Sequence, residues 1–242
     1  MASTLSPVHG KVVLVLGASG IVGGGAALGL VQLGANVIAP FRSGESKEAF
    51  SKEFRHYPSS QQWDAPVVDY STEQGLQDLA EYIRSERGGV VDHIFACMGG
   101  SVAKGPLTVL PAPELESALS HRVFSQVLAA KYLLPLVRPT PDSCYLVTTG
   151  RLGESCPAPE WAIYTLVNAA VYGVVAALRS EIKTHRLQEL RIGAVIRRDS
   201  EPFHHQWPDL RSHPASSLVP SILRILSGEV RDDIVRWTAE EH

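Results

Sequence analysis

Polar and apolar positions fall into blocks along the chain, and the blocks change period. Short continuous apolar runs rich in β-branched residues stand at "KVVLVL" from residue 11, "NVIAPF" from 36, "PVVDY" from 66, "DHIFACM" from 92, "CYLVTT" from 144, "IGAVI" from 192 and "DIVRW" from 233. Runs this short with no polar face suit strands covered on both sides. Between them lie helix-length segments at 21–34, 44–56, 72–87, 113–137, 160–188 and 215–228. Several open on Ser, Thr or Pro in capping positions, and the first closes on Gly34. Strand and helix alternate from end to end. The alternation predicts an α/β fold: one doubly wound parallel sheet of about seven strands with helices on both faces, in a single domain over 1–242. Only 197–214, "RRDSEPFHHQWPDLRSHP", breaks the rhythm. Its charge, prolines and length predict a loop or short-helix excursion over the mouth of a site.

Composition narrows the class. The 242 residues are 45% hydrophobic and 19% charged, enough to bury one large core in a soluble protein. A formal net charge of −3 gives no long-range attraction to nucleic acid or to an anionic membrane, so a small-molecule substrate is expected. Cys97, Cys144 and Cys156 are an odd number without metal-ligand spacing, which reads as reduced thiols in a cytoplasmic protein. The start, "MASTLSPVHGK", lacks the apolar core of a signal peptide, and no uninterrupted apolar stretch reaches membrane-spanning length.

The first strand runs into "LGASGIVGGGAALGL", with Gly17, Gly20 and Gly23 spaced three apart around Ser19 and Ile21. Glycine at a strand-to-helix turn permits a tight bend and close approach of the backbone to a pyrophosphate, which then faces the helix N-terminus. The second strand ends "APFRSGES", with Arg42 and Ser43 where an acid would hold the 2′-hydroxyl of NAD. A basic residue there favours the 2′-phosphate of NADP(H) over NAD(H).

With these features the chain resembles the short-chain dehydrogenase/reductase family over nearly its full length, which implies a Rossmann-like fold. "VVDYST" is similar to the family's third-strand end, so the resemblance implies that Asp69 and Tyr70 flank the adenine. "DHIFACMGG" resembles the fourth-strand segment that usually ends Asn-Asn-Ala-Gly; here Ala96, Cys97 and Met98 precede Gly99, and the glycine alone is kept. The glycine spacing follows the family's extended and atypical branches, while the length follows its compact branch.

The family's chemistry rests on a Ser, a Tyr, a Lys four residues after the Tyr, and an Asn on the preceding long helix. Tyr164 fits the Tyr, in "YTLVNAAVYG", and Asn168 stands where the Lys belongs. An amide holds a ribose hydroxyl but brings no field to acidify a phenol whose reference pKa is about 10. The Ser position falls in "LVTTGRLG", where Thr149, or Thr148 beside it, offers the hydroxyl. No Asn lies in "ALSHRVFSQ"; His121 or Arg122 stands nearest. Three readings follow: reduction of a carbonyl or imine, with Arg151, Arg197 or His121 supplying the missing cation or with a substrate that needs little acid; nucleotide binding without hydride transfer; or redox-neutral isomerisation or cyclisation.

His204, His205 and His213 sit on one loop without helically spaced carboxylates, so no metal is expected. The helix from Trp161 to Leu178 is apolar nearly all round. In the resembled family this helix and the preceding long one form a subunit contact. A homodimer or homotetramer through about 113–137 and 160–188 is expected.

Overall fold

The computed structural model describes residues 5–53, 63–100, 102–202 and 212–238. Seven parallel strands form one sheet in the order β3-β2-β1-β4-β5-β6-β9. They are β1 (Val12–Leu16), β2 (Asn36–Ile38), β3 (Trp63–Asp64), β4 (His93–Ala96), β5 (Cys144–Gly150), β6 (Arg186–Ile192) and β9 (Ile234–Trp237). The chain runs outward from β1 to β3 and returns to β4, so the crevice between the ends of β1 and β4 is the topological switch point where such sheets bind ligands.

Two cores follow from this layering. On one face, Val13, Val15 and Leu146 meet α1 (Ile21–Gln32) and α7 (Val219–Leu226). On the other, Leu14, Ile94 and Val147 meet α3 (Glu73–Glu86), α5 (Ser125–Leu133) and α6 (Ala162–Glu181). Helix α3 shows the local logic. Thr72 caps it by accepting from the Gly75 amide at 3.0 Å, and Leu76, Leu79, Ala80 and Ile83 recur at helical spacing on its buried side. Helix α2 (Gly44–Glu53) follows β2, and α4 (Ala112–Leu119) precedes α5.

Five expected elements are corrected. The third strand lies at Trp63–Asp64 rather than 66–70, because Pro66 has no N–H; pairing continues only through single bonds, from Phe41 N–H to the Pro66 carbonyl and from Val68 N–H to the Phe41 carbonyl. The sixth strand is Arg186–Ile192, so the helix expected over 160–188 stops at Glu181. "IGAVI" only begins at that strand's end; β7 (Val195–Arg197) instead pairs with β8 (Ser212–Pro214) in a separate two-stranded ribbon. The loop expected over 197–214 therefore includes a strand at each end, and His204 and His205 lie outside the described residues. Finally, the long helix expected over 113–137 is interrupted between α4 and α5 by a π-helical segment, Ser120–Phe124.

By length and composition Pro159–Glu181 would also cross a membrane, unlike the expectation from uninterrupted apolar runs. Here its Ile163, Val167, Val171 and Val175 pack inward on the domain.

Candidate active site

The glycine turn is built by close contact. A Cβ on Gly17, whose φ is +84°, would lie 2.0 Å from the Cys97 carbonyl oxygen, and one on Gly23 would lie 2.2 Å from the Gly17 carbonyl oxygen. No side chain fits at either position, so these two glycines hold β1, β4 and α1 together as well as shaping the turn. Gly20 is different: it is exposed, and a Cβ there would meet only the Gly17 carbonyl, at 3.2 Å. Ile21, at the start of α1, and the next residues present N–H groups that have no acceptor within the helix. That is the donor set a phosphate requires.

Residues around the turn extend the cradle. Arg42 and Ser43 are exposed at the end of β2, and Ser43 closes a hydrogen-bonded turn with Ser46 that starts α2. Tyr70 runs its ring into the α3-side core and brings its hydroxyl beside the Gly17 amide and the Ser19 side chain. Burial pushes its phenol up, while the Arg42 charge, the Gly17 amide and Ser19 pull against that. Asp69 is exposed, but one of its oxygens accepts from the Ser71 amide at 3.1 Å and from the Ser71 hydroxyl at 2.5 Å. Arg198, which was not singled out in the sequence, donates to the Ser19 carbonyl at 3.2 Å.

At the ends of β4 and β5 the expected catalytic set separates. Tyr164, on the first turns of α6, is half-buried against the small cluster of Ala118, Ile163 and Val167, on which Val102, Leu110 and Leu115 also pack, with Trp161 5.6 Å away ring to ring. Asn168 lies one turn on and is buried, and its amide is committed: its oxygen accepts from the Gly150 amide at 2.6 Å, and its nitrogen donates to the Tyr164 carbonyl at 2.7 Å. It ties the end of β5 to α6. The expected hydroxyl is misplaced. Thr149 turns into the sheet interior and donates to Glu189 at 2.5 Å, and Thr148 donates to the Ala96 carbonyl at 3.3 Å. The position that faces Asn168 is Gly150, where a Cβ would stand 3.1 Å from Oδ1 of Asn168. Strand alternation carries the signal: if one of two adjacent threonines faces the interior, the residue after it faces the cleft.

Beneath the end of β5 is an ionic cluster built on the buried pair of Arg191 and Glu189. Arg191 pairs with Glu189 at 2.9 Å and with Glu154 at 2.6 Å, and stacks its guanidinium 3.6 Å from the centroid of the Tyr172 ring. The Tyr172 hydroxyl donates to the Gly150 carbonyl at 2.5 Å. Glu154 is held below the usual carboxyl range by its hydrogen bond from Arg191. Both polar groups of Gly150 are thereby fixed, the carbonyl by Tyr172 and the amide by Asn168.

None of the three cations expected as substitutes for the lysine is the one placed over the tyrosine. Arg122 takes that place. It projects from the π-helical segment with its guanidinium carbon 5.3 Å from the centroid of the Tyr164 ring and packs on Gly99 at the end of β4. Cys97 is beside it; burial pushes its enclosed thiol up, with Thr148, the Gly23 amide and Arg122 opposing. Among the described residues no group of His, Cys, Asp and Glu is arranged to hold a metal.

Comparison with known proteins agrees with this layout. The family model for an SDR-like Rossmann domain matches residues 6–230. A protein named short-chain dehydrogenase/reductase iacG, from Pestalotiopsis fici, is 25% identical over 226 residues, covering 90% of this chain and 86% of its own. The MalC reductase/Diels-Alderase of Malbranchea aurantiaca superimposes with a TM-score of 0.81 at 16% identity, covering 97% of both chains. A short-chain dehydrogenase from Burkholderia cenocepacia, in complex with NADP, gives 0.77 at 16% identity, covering 95% of this chain and 97% of its own. The chain belongs to the SDR family of Rossmann domains.

Proposed function

We propose that the protein is an NADP(H)-dependent oxidoreductase that delivers hydride to the carbonyl or imine carbon of a small organic substrate without a catalytic lysine. One observation carries this reading most directly: the glycine turn and the start of α1 leave backbone N–H groups free at the switch point of the sheet, where, with the Arg42 charge nearby, they would cradle an anion. Gly17, Ser19, Gly20, Ile21 and Gly23 would surround the pyrophosphate, and Arg42 with Ser43 the 2′-phosphate. Asp69 and Gly99 would line the adenosine half, with Tyr70 as a floor beneath the turn. The bound cofactor would supply a hydride, two electrons and one proton; the oxygen or nitrogen left with the charge then needs a proton or a positive partner. Tyr164 would orient that atom, and a substrate that is already an iminium needs no acid. The NADP complex of the Burkholderia relative supports the cofactor. The free thiols of Cys97, Cys144 and Cys156 suit the reducing cytoplasm.

NADPH is expected to bind at least about tenfold more tightly than NADH, a difference of about 1.4 kcal/mol, and Arg42→Asp to reverse the order. Fluorescence titration of both nucleotides measures this, followed by NADPH oxidation against a panel of ketones, aldehydes and cyclic imines. Equal affinities in the unmodified protein would remove Arg42 from the assignment, and binding without turnover across the panel would leave a nucleotide-binding protein.

The outward face of α6 favours a self-associating enzyme. Leu166, Ala169, Gly173, Ala176 and Ala177 are exposed along it, and Phe124 and Val127 are exposed on the neighbouring helical stretch, Phe124 to 57%. We expect a dimer or tetramer by sedimentation velocity at micromolar concentration. Phe124→Asp combined with Leu166→Glu should yield monomer, and a monomeric unmodified protein would exclude the contact.

A further inference from the structure

A cation with no counter-charge stands in this cleft. Arg122 is half-buried, and its only hydrogen-bond partner among the described residues is the Gly100 carbonyl, to which Nε donates at 3.1 Å and Nη2 donates as well. The groups that act on its charge are Tyr164 and Cys97, both neutral in their ordinary states. Three arginines near the strand ends are differently provided for: Arg191 has Glu189 and Glu154, Arg236 has Glu154, and Arg198 has Glu201. Taking a guanidinium out of water without an anion is costly, and burial does draw Arg122 down, yet arginine stays charged near neutral pH. The segment that carries it is π-helical, a local widening that is rare in helices and frequent at functional sites. Of the five N–H donors of a guanidinium, two are used on Gly100, which leaves three for a ligand.

The surroundings indicate what kind of ligand. The Tyr164 ring lies under the guanidinium, Trp161 continues the aromatic wall, and Lys104 places its ammonium 5.3 Å from the centroid of the Trp161 ring. Leu110 and Leu115 pack on the same small apolar cluster as Tyr164. An aromatic or aliphatic body against Trp161 and Leu110 would put an anionic oxygen at Arg122.

We infer that Arg122 is an anion-binding site of the substrate pocket, which takes a negatively charged substrate oxygen against its guanidinium and beside Tyr164. Two sources supply that chemistry: a carboxylate borne by the substrate, or the oxygen that acquires charge when hydride adds to a carbonyl. The second source rests on the hydride-transfer reading above; the first stands without it. In either case Arg122 contributes the positive charge that Asn168 lacks, by electrostatic contact and not by proton donation.

Benzoate, titrated calorimetrically into the protein alone and into its NADP⁺-saturated form, tests the site, with benzamide as the uncharged control. Arg122→Gln should weaken benzoate at least tenfold and benzamide less than twofold, and Arg122→Lys should keep part of the benzoate affinity. A thermal melt of each variant shows whether it remains folded. Failure of benzoate to bind the unmodified protein in both forms, or equal binding by Arg122→Gln, would overturn the inference. NADPH turnover then separates the two sources. A drop in kcat at unchanged KM on a neutral ketone assigns the site to the reacting oxygen, and a raised KM confined to a keto acid assigns it to a carboxylate. Absence of NADPH binding would remove the cofactor reading while leaving the benzoate result to stand on its own.

Discussion

Glu189→Ala is expected to cost about 3 to 5 kcal/mol of stability, the range for removing one partner from a buried ion pair. Glu189 is 1% exposed and accepts from both Arg191 and Thr149. Without it the Arg191 guanidinium stays buried, and the Thr149 hydroxyl loses its acceptor. Burial alone would lower the Arg191 pKa, but the hydrogen bonds to Glu189 and Glu154 more than offset it, so the cation is kept in place by its partners. The consequence should reach the active site, since Arg191 stacks on Tyr172 and Tyr172 holds the Gly150 carbonyl. Urea denaturation of Glu189→Ala and Glu189→Gln measures the effect. The Gln variant keeps an acceptor for Thr149 and loses only the charge, so it should lie between the two. A loss below about 1 kcal/mol for the Ala variant would mean that water enters and solvates Arg191.

This cluster also explains why the sequence misleads about the sixth strand. "RLQELRI" has neither a continuous apolar run nor a strict alternation, since Gln188 and Glu189 are adjacent and set Leu187 and Leu190 on opposite faces, yet Gln188, Glu189 and Arg191 are all buried. Their partners come from distant segments: Gln188 donates to the Val230 and Asp232 carbonyls, and Arg191 reaches Glu154. A strand buried by long-range polar pairing leaves no apolar run to detect, so the neighbouring "IGAVI" draws the assignment. The glycine turn is legible for the opposite reason, because its requirements are local. A backbone with positive φ and a carbonyl 2.0 Å from the absent Cβ fix glycine at 17 whatever lies elsewhere. The catalytic side is legible by position but not by orientation. Tyr164 and Asn168 share a helix face as their spacing requires, whereas the choice between Thr149 and Gly150 depends on which way β5 faces at its end. Arg122 is readable only as one of two residues nearest the missing Asn, since a π-helical turn shifts the register by which a helical residue is placed.

Asn168→Lys is expected to lower stability by about 1 to 3 kcal/mol, the cost of leaving a buried polar group without its partner, and to give no rise in hydride transfer. The Asn168 oxygen is the acceptor of the Gly150 amide at 2.6 Å, and lysine has no acceptor to replace it. The new ammonium would enter a buried position beside a strand end already fixed by Tyr172, at the cost of its desolvation. If Asn168 stands where the family lysine is expected, putting lysine there therefore would not by itself rebuild the family's catalytic set. The strand position facing it is Gly150, which offers no hydroxyl, and the cation that has been placed over Tyr164 comes from another helix. On the proposed function Tyr164 would orient the substrate more than donate a proton, so Tyr164→Phe in the native background should cost less than about tenfold in the hydride-transfer rate. Stopped-flow NADPH oxidation by the two single variants, on the best substrate of the panel, measures both. A gain of tenfold or more in Asn168→Lys, lost again when Tyr164→Phe is added, would show instead that Tyr164 is a proton donor lacking only its lysine.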